Sequence, residues 1–125
     1  MEETKTLYEL VGDERLLKIL QAFYARVFKS EIIGPLFNQT NANEIIDKQY
    51  RFLTQFLGGP PRYNNKYGHP RMRMRHMPHK ITQEAKEEWL KLMKESIWEV
   101  KDMNEELKTA LYNCFPQVAQ HMVNS

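Results

Sequence analysis

The chain is short of several things, and each shortage narrows what it can be. It has one cysteine, Cys114, so no internal disulfide can form and a reducing, cytoplasmic setting fits. No apolar run approaches the roughly eighteen residues that a membrane span needs. The N-terminal Met1-Glu2-Glu3-Thr4-Lys5 lacks the basic start and apolar stretch of a signal peptide. Charge of one sign is scarce as well: a net +2 is too small to argue for nucleic acid or a membrane surface. Internal repeats and low-complexity stretches are missing, and strand signals are few. What remains is ordinary globular material. With 42% apolar and 27% charged residues the chain is not disordered, and its 125 residues suit one domain, spanning 1–125, with a modest core.

Helical periodicity is what the sequence does have. Leu16, Leu17, Leu20, Phe23, Tyr24, Val27 and Phe28 recur at steps of one, three and four, which puts them on one helix face. Gly12-Asp13 before them reads as a turn with an N-cap. The short apolar piece 32–37 is broken by Gly34-Pro35, and the polar run 38–43 reads as a loop. A second helix is expected from about Glu44 to Leu57, with Ile45, Ile46, Gln49, Phe52, Leu53, Phe56 and Leu57 facing inward. Gln49 is the odd member, because a buried amide without partners costs about 1–3 kcal/mol. The plain reading puts it at the edge of the stripe, reaching water. Gly58-Gly59-Pro60-Pro61 stops that helix.

Residues 62–80 differ in kind. They hold Arg62, Lys66, Arg71, Arg73, Arg75 and Lys80, no acid, and three of the four histidines: His69, His76 and His79. The alternation 71–77 taken alone suggests a strand, while one and a half helical turns would pair Met72 with His76. After Thr82, a fitting N-cap, a long helix turns Ala85, Trp89, Leu92, Met93, Ser96, Ile97 and Val100 inward. A last helix begins near Asn104 with Leu107, Leu111, Cys114, Phe115, Val118, Ala119 and Met122 inward, and Pro116 should kink it. The expectation is an all-α domain with one long, irregular, basic connection.

Such a connection in a small helical domain points to function. Three readings compete for it. A zinc site from His69, His76, His79 and Cys114 lacks the paired ligand spacing of structural zinc. A nucleic-acid contact through the arginines has a thin electrostatic footprint, and a solvated basic loop, or one that docks acidic partners in a haem-free module, is its plainer version. Haem needs one neutral imidazole, an apolar slot between helices and cations for two propionates. His76 with Arg75, between apolar helical faces, offers all three.

Particular stretches add to this. Phe23-Tyr24, the run 48–60 from Lys48-Gln49-Tyr50 to Gly59-Pro60, the run 68–78 around Arg75-His76-Met77, Trp89-Leu90 and the terminal 121–124 together resemble the second group of the truncated haemoglobins, of bacterial and plant type. The resemblance covers nearly the whole chain. It implies a two-over-two sandwich of four main helices around b-type haem. It implies His76 as the proximal ligand to the metal, and Tyr24, Gln49 and Trp89 in the distal pocket. It places Phe37 against the porphyrin, Ile45 at the distal gate, and Lys48, Tyr63 and Arg75 near the propionates. Two departures stand out. Many relatives have two glycines where this chain has Gly12-Asp13. Ile45 stands where relatives often carry a small or hydroxylated residue, so it cannot hydrogen-bond a ligand and narrows direct access. The resemblance implies reversible binding of dioxygen and other diatomics at ferrous haem by a monomer or homodimer. Redox chemistry on nitric oxide or peroxide, with a separate reductase, is the alternative. Bound dioxygen carries partial negative charge, and each donor to it in a dry pocket is worth roughly 1.5–3 kcal/mol.

Overall fold

The computed structural model describes residues 5–69, 71 and 80–124. Among them the regular structure is helical throughout. In chain order the helices are α1 (Leu7–Val11), α2 (Asp13–Val27), a 3-10 turn (Gly34–Phe37), α3 (Ala42–Phe56), α4 (Arg62–Tyr67), α5 (Gln83–Trp98), α6 (Glu105–Tyr112) and α7 (Pro116–Met122). α2 packs on α3 and α5, and α5 packs on α6 and α7. Helices α2 and α3 thus form one layer, and α5 with the α6–α7 pair the other, the expected two-over-two sandwich. No described helix is long and apolar enough to cross a membrane.

Local chemistry accounts for most helix starts. Asn41, Thr82 and Asn104 are extended N-caps whose side-chain oxygens accept from the backbone N–H three residues on. α1 is a helix that hydrophobic periodicity alone overlooks. Its signal is a capping box: Thr6 Oγ1 accepts from Glu9 N at 3.1 Å, and Thr6 N donates to Glu9 Oε1 at 3.2 Å. Gly12, not Asp13, caps α2, because the chain passes there at φ +82°, a conformation L side chains resist. That frees the Asp13 carboxylate for other partners. At Gly59 the constraint is space: an added Cβ would lie 2.5 Å from Tyr8 Cδ2 and 2.8 Å from the Thr54 carbonyl oxygen. The missing side chain lets α1 lie across the end of α3, where Tyr8 N bonds Leu57 O at 3.1 Å.

The core lies between α2 and α5. Leu16, Ile19, Leu20, Phe23 and Val27 meet Met93 and Ile97, with Leu111 and Phe115 closing one end. Burial of each such side chain is worth about 1.5–3 kcal/mol. Ser96 is fully buried within α5, its hydroxyl donating to Leu92 O at 2.8 Å. Outside this seam, Arg26 bridges the same two helices, 2.6 Å from Glu99 and 3.7 Å from Glu95.

Three expectations change. Phe28 does not join the core: α2 ends at Val27, and the Phe28 ring is 40% exposed and edge-on to Phe37 at 6.2 Å. Pro116 does not kink one long helix but separates two. The chain turns through Asn113–Phe115 and α7 starts at Pro116, where the missing N–H costs nothing. The basic segment is not wholly irregular either, since α4 occupies its first six residues. The reading of 71–77 as strand or helical turn falls almost entirely outside the described residues.

Candidate haem cavity

A cavity of about 390 Å³ opens between the two layers. That volume lies within the range of small-molecule and cofactor sites. Each layer contributes walls. From α2 come Leu20, Phe23 and Tyr24, and from the 3-10 turn Leu36 and Phe37. α3 turns Ile45, Lys48, Gln49, Phe52, Leu53 and Phe56 toward it, and α4 contributes Tyr63. α5 supplies Ala85, Lys86, Trp89 and Met93; Phe115 precedes α7, which adds Val118, Ala119 and Met122. The rings are interlocked. Phe23 is edge-on to Tyr24 at 4.9 Å and to Trp89 at 5.1 Å, and Trp89 to Phe115 at 5.6 Å. Tyr24 meets Phe37 edge-on at 6.0 Å, and Phe52 stacks on Phe56 and abuts Tyr63. Edge-to-face pairs of this kind hold an apolar wall in one geometry.

Polar groups in this wall are few, and they are poised. Tyr24 is 3% exposed, and burial pushes its phenol well above the ordinary value, so it remains a neutral donor. Among the described residues no group hydrogen-bonds the side chains of Tyr24, Gln49 or Trp89. Three donors on three elements thus share a cavity with no hydrogen-bond partner among the described residues. Gln49 is half-buried and lines the cavity, which is compatible with an amide at the edge of the apolar stripe. Lys48 extends over the Tyr67 ring, 5.5 Å from its centroid. Lys86 supplies a second cation, its Nζ 2.8 Å from Gln120 Oε1.

Seven residues singled out in the sequence, Tyr24, Phe37, Ile45, Lys48, Gln49, Tyr63 and Trp89, therefore line one cavity. His76 and Arg75 lie outside the described residues, as does His79 of the zinc reading. No group of three or more potential metal ligands forms among the described residues, and the free Cys114 sits apart, its Sγ 3.5 Å from Ala110 O. Lys86 was missed. Its signal is the spacing Lys86, Trp89, Met93, which puts all three on one face of α5. Asp13 and Asp47 were missed too; beside the nearby Tyr8 and Arg51, their other partners come from distant parts of the chain.

The described wall fits haem. Aromatic and aliphatic surfaces suit a flat apolar macrocycle, cations at the rim suit its carboxylates, and unpaired donors suit a polar ligand on one face.

Comparison with known proteins agrees. The family model described as bacterial-like globin matches residues 6–124. The chain is 39% identical over 117 residues to the group 2 truncated hemoglobin YjbI of Bacillus subtilis (strain 168), covering 94% of this chain and 87% of that one. It is 29% identical over 123 residues to two-on-two hemoglobin-3 of Arabidopsis thaliana, covering 97% and 70%. Among solved structures, the truncated oxygen-avid haemoglobin from Bacillus subtilis superposes with a TM-score of 0.89 at 38% identity, covering 96% of this chain and all of that one. The group II truncated hemoglobin from Bacillus anthracis gives 0.92 at 32% identity, covering 99% and 95%. With the fold, the cavity and these relatives in agreement, the chain belongs to the bacterial-like globins, as a haem globin of the second group of truncated haemoglobins.

Proposed function

We propose that this protein, acting as one domain in a reducing cytoplasm, binds dioxygen and other diatomic ligands reversibly at a ferrous b-type haem, with His76 as the iron's protein ligand. The observation that carries this reading is the convergence of Tyr24, Gln49 and Trp89, none hydrogen-bonded among the described residues, on an otherwise mostly apolar cavity. Haem, when bound, supplies a ferrous iron that takes a diatomic ligand and draws charge onto it. Tyr24 donates its hydroxyl to that ligand and keeps its proton, because burial holds the phenol neutral. Trp89 donates its indole N–H from the opposite layer. Gln49 donates as well or orients the Tyr24 hydroxyl. Phe23, Phe37 and Phe115 keep water away, which strengthens each of these bonds. Ile45 presents only methyl groups, so it narrows access without contributing a donor. Lys48, Tyr63 and Arg75 hold the propionates.

Several donors in a dry pocket slow ligand release, and a relative is described as oxygen-avid. Slow release favours chemistry on a held ligand over bulk delivery. The same wall therefore supports a second reading, reduction of peroxide or consumption of nitric oxide with electrons from a separate reductase. Peroxide turnover with an external electron donor would favour that reading.

The deciding experiment is the absorption spectrum of the purified protein, oxidised and reduced, beside that of His76→Ala. A five-coordinate ferrous spectrum that the substitution abolishes is expected. A normal ferrous spectrum in His76→Ala would assign the iron to another histidine, and a parent that takes up no haem would overturn the reading altogether.

A further inference from the structure

Helix α4 is held in place in an unusual way. Of its six residues only Tyr63 is buried, and Tyr63 is also the one that lines the cavity. A helix of that length has no stability of its own and depends on what fastens it. Its remaining fastenings are mainly polar, and they gather on two carboxylates. Arg62 Nη1 lies 3.0 Å from Asp13 Oδ1 and donates to the Tyr50 hydroxyl at 2.6 Å. The hydroxyls of Tyr8 and Tyr50 donate to that same Asp13 oxygen, each at 2.8 Å. One turn further, Lys66 Nζ at 2.9 Å and the Tyr67 hydroxyl at 2.8 Å meet at Asp47 Oδ2, which Arg51 Nε also reaches at 3.0 Å. Between these hubs Gln55 and Asn64 exchange two hydrogen bonds, at 3.0 and 3.1 Å.

This arrangement adds polar links between α4 and α2 and α3 to the apolar link, the Tyr63 ring edge-on to Phe52. Asp13 stands at the start of α2 and gathers donors from α1, α3 and α4. Asp47 stands on α3 and draws in two neighbouring side chains at the end of α4. Neither carboxylate lines the cavity, yet both stand close to its wall: Lys48, a lining residue, follows Asp47, and Tyr63, another, follows Arg62, the α4 partner of Asp13. An isolated exposed ion pair does little. Two carboxylate oxygens that each gather three donors, three of the six donors coming from the same short helix, form a network.

We propose that Asp13 and Asp47 are positioning residues for the haem pocket, latching α4 onto α2 and α3 so that Tyr63 stays in the cavity wall. Opening the latch releases haem while the core between α2 and α5 stays folded. The inference rests on the haem-binding reading, and its test separates the two.

The test uses Asp13→Asn, Asp47→Asn and the double variant. Haem loss from the loaded proteins is followed by transfer to excess apomyoglobin. Amide hydrogen exchange of the haem-free proteins is followed by mass spectrometry. Each single substitution should speed haem loss by about two- to five-fold and the double by about ten-fold, the scale of modest polar contacts acting together. Exchange should rise in 62–67 and stay as in the parent across α2 and α5. Asp47→Glu, which keeps the charge, should recover most of the retention. Haem loss unchanged in the double variant, with a parent that loads normally, would overturn the latch. An equal rise in exchange across α2 and α5 would also overturn it, by showing general destabilisation. A parent that takes up no haem would overturn the haem reading instead, and the exchange measurement would still decide whether the two carboxylates hold α4.

Discussion

The α2–α5 seam and the α3–α4 wall enclose the same cavity by opposite means. Along the seam Leu16, Ile19, Leu20, Val27, Met93 and Ile97 are almost wholly excluded from water, and the contacts are dispersion and burial. Along the wall α3 buries Leu53 and Thr54, but α4 buries one tyrosine ring, and Asp13, Asp47, Arg62, Lys66 and Tyr67 fasten that helix at the surface. Burial of uncharged side chains carries no titrating group, whereas surface polar networks respond to pH and are screened by salt. A cavity built this way has a permanent side and a side that can be loosened.

The largest effect should come from breaking the permanent side. Ile97 is fully buried and does not line the cavity. Ile97→Ala should cost about 2–5 kcal/mol of stability, read by denaturant unfolding. The loss should be the same with and without haem; a loss confined to the loaded protein would mean that the seam is not an independent frame.

Next comes the polar lining of the permanent side. Tyr24→Phe keeps the ring against Phe23 and Phe37 and removes one donor. The oxygen off-rate should rise about ten-fold or more, since roughly 1.4 kcal/mol corresponds to a factor of ten. Carbon monoxide, with less charge on its outer atom, should respond less, and Trp89→Phe should follow the same order. Combining Gln49→Ala with Tyr24→Phe should give less than the sum of the two. Equal changes for oxygen and carbon monoxide would point to packing instead.

Acid should separate the two regions more gently. Partial desolvation raises the Asp47 carboxyl, but hydrogen bonds from Lys66, Tyr67 and Arg51 outweigh it and hold the group at about 2, below its ordinary 3.8. Asp13 is likewise raised by desolvation and lowered more by Tyr50, Tyr8 and Arg62, for a net lowering. A group lowered in the folded state contributes stability above its unfolded value, and that stability fades as pH falls through the folded one. In the haem-free protein, exchange at 62–67 should therefore increase between about pH 4 and pH 2 more steeply than exchange in α5. Asp47→Asn should flatten that difference. Parallel pH profiles for both segments would remove the contrast.

The smallest effect belongs to Lys48. Its ammonium has a ring face for company and no carboxylate within ion-pair distance among the described residues. Exposed pairs with a propionate are worth about 0–1 kcal/mol, so Lys48→Ala should speed haem loss only slightly. No change at all would take Lys48 out of the site.

How much of this was legible differs between the same two regions. The stripe Leu16 to Val27 and the inward face from Ala85 to Ile97 show in their spacing, since an α-helix repeats its face every three or four residues. Thr82 shows as a cap because capping is a matter of four consecutive residues, and Asn104 shows as the place where a helix begins. The Thr6–Glu9 box was as legible as these, although a five-residue helix carries too little periodicity to draw attention to it. Phe28 and Pro116 were misjudged because a continuing stripe does not reveal where a helix stops. The inward face of α3 showed in its spacing, but the polar fastening of α4 did not. Asp13 finds Tyr50 and Arg62 across 37 and 49 residues, and nothing near Asp13 in the chain announces either.

The sequence by itself thus determined α2, α3 and α5, their inward faces and the family resemblance, since each depends on residue types at short, regular spacing. Tertiary structure decided how Tyr24, Gln49 and Trp89, which the family resemblance had already grouped, meet in one cavity with no hydrogen-bond partner among the described residues, and that two carboxylates bond α4. Those facts depend on which distant surfaces meet, and the meeting is set by packing of whole helices rather than by any local pattern.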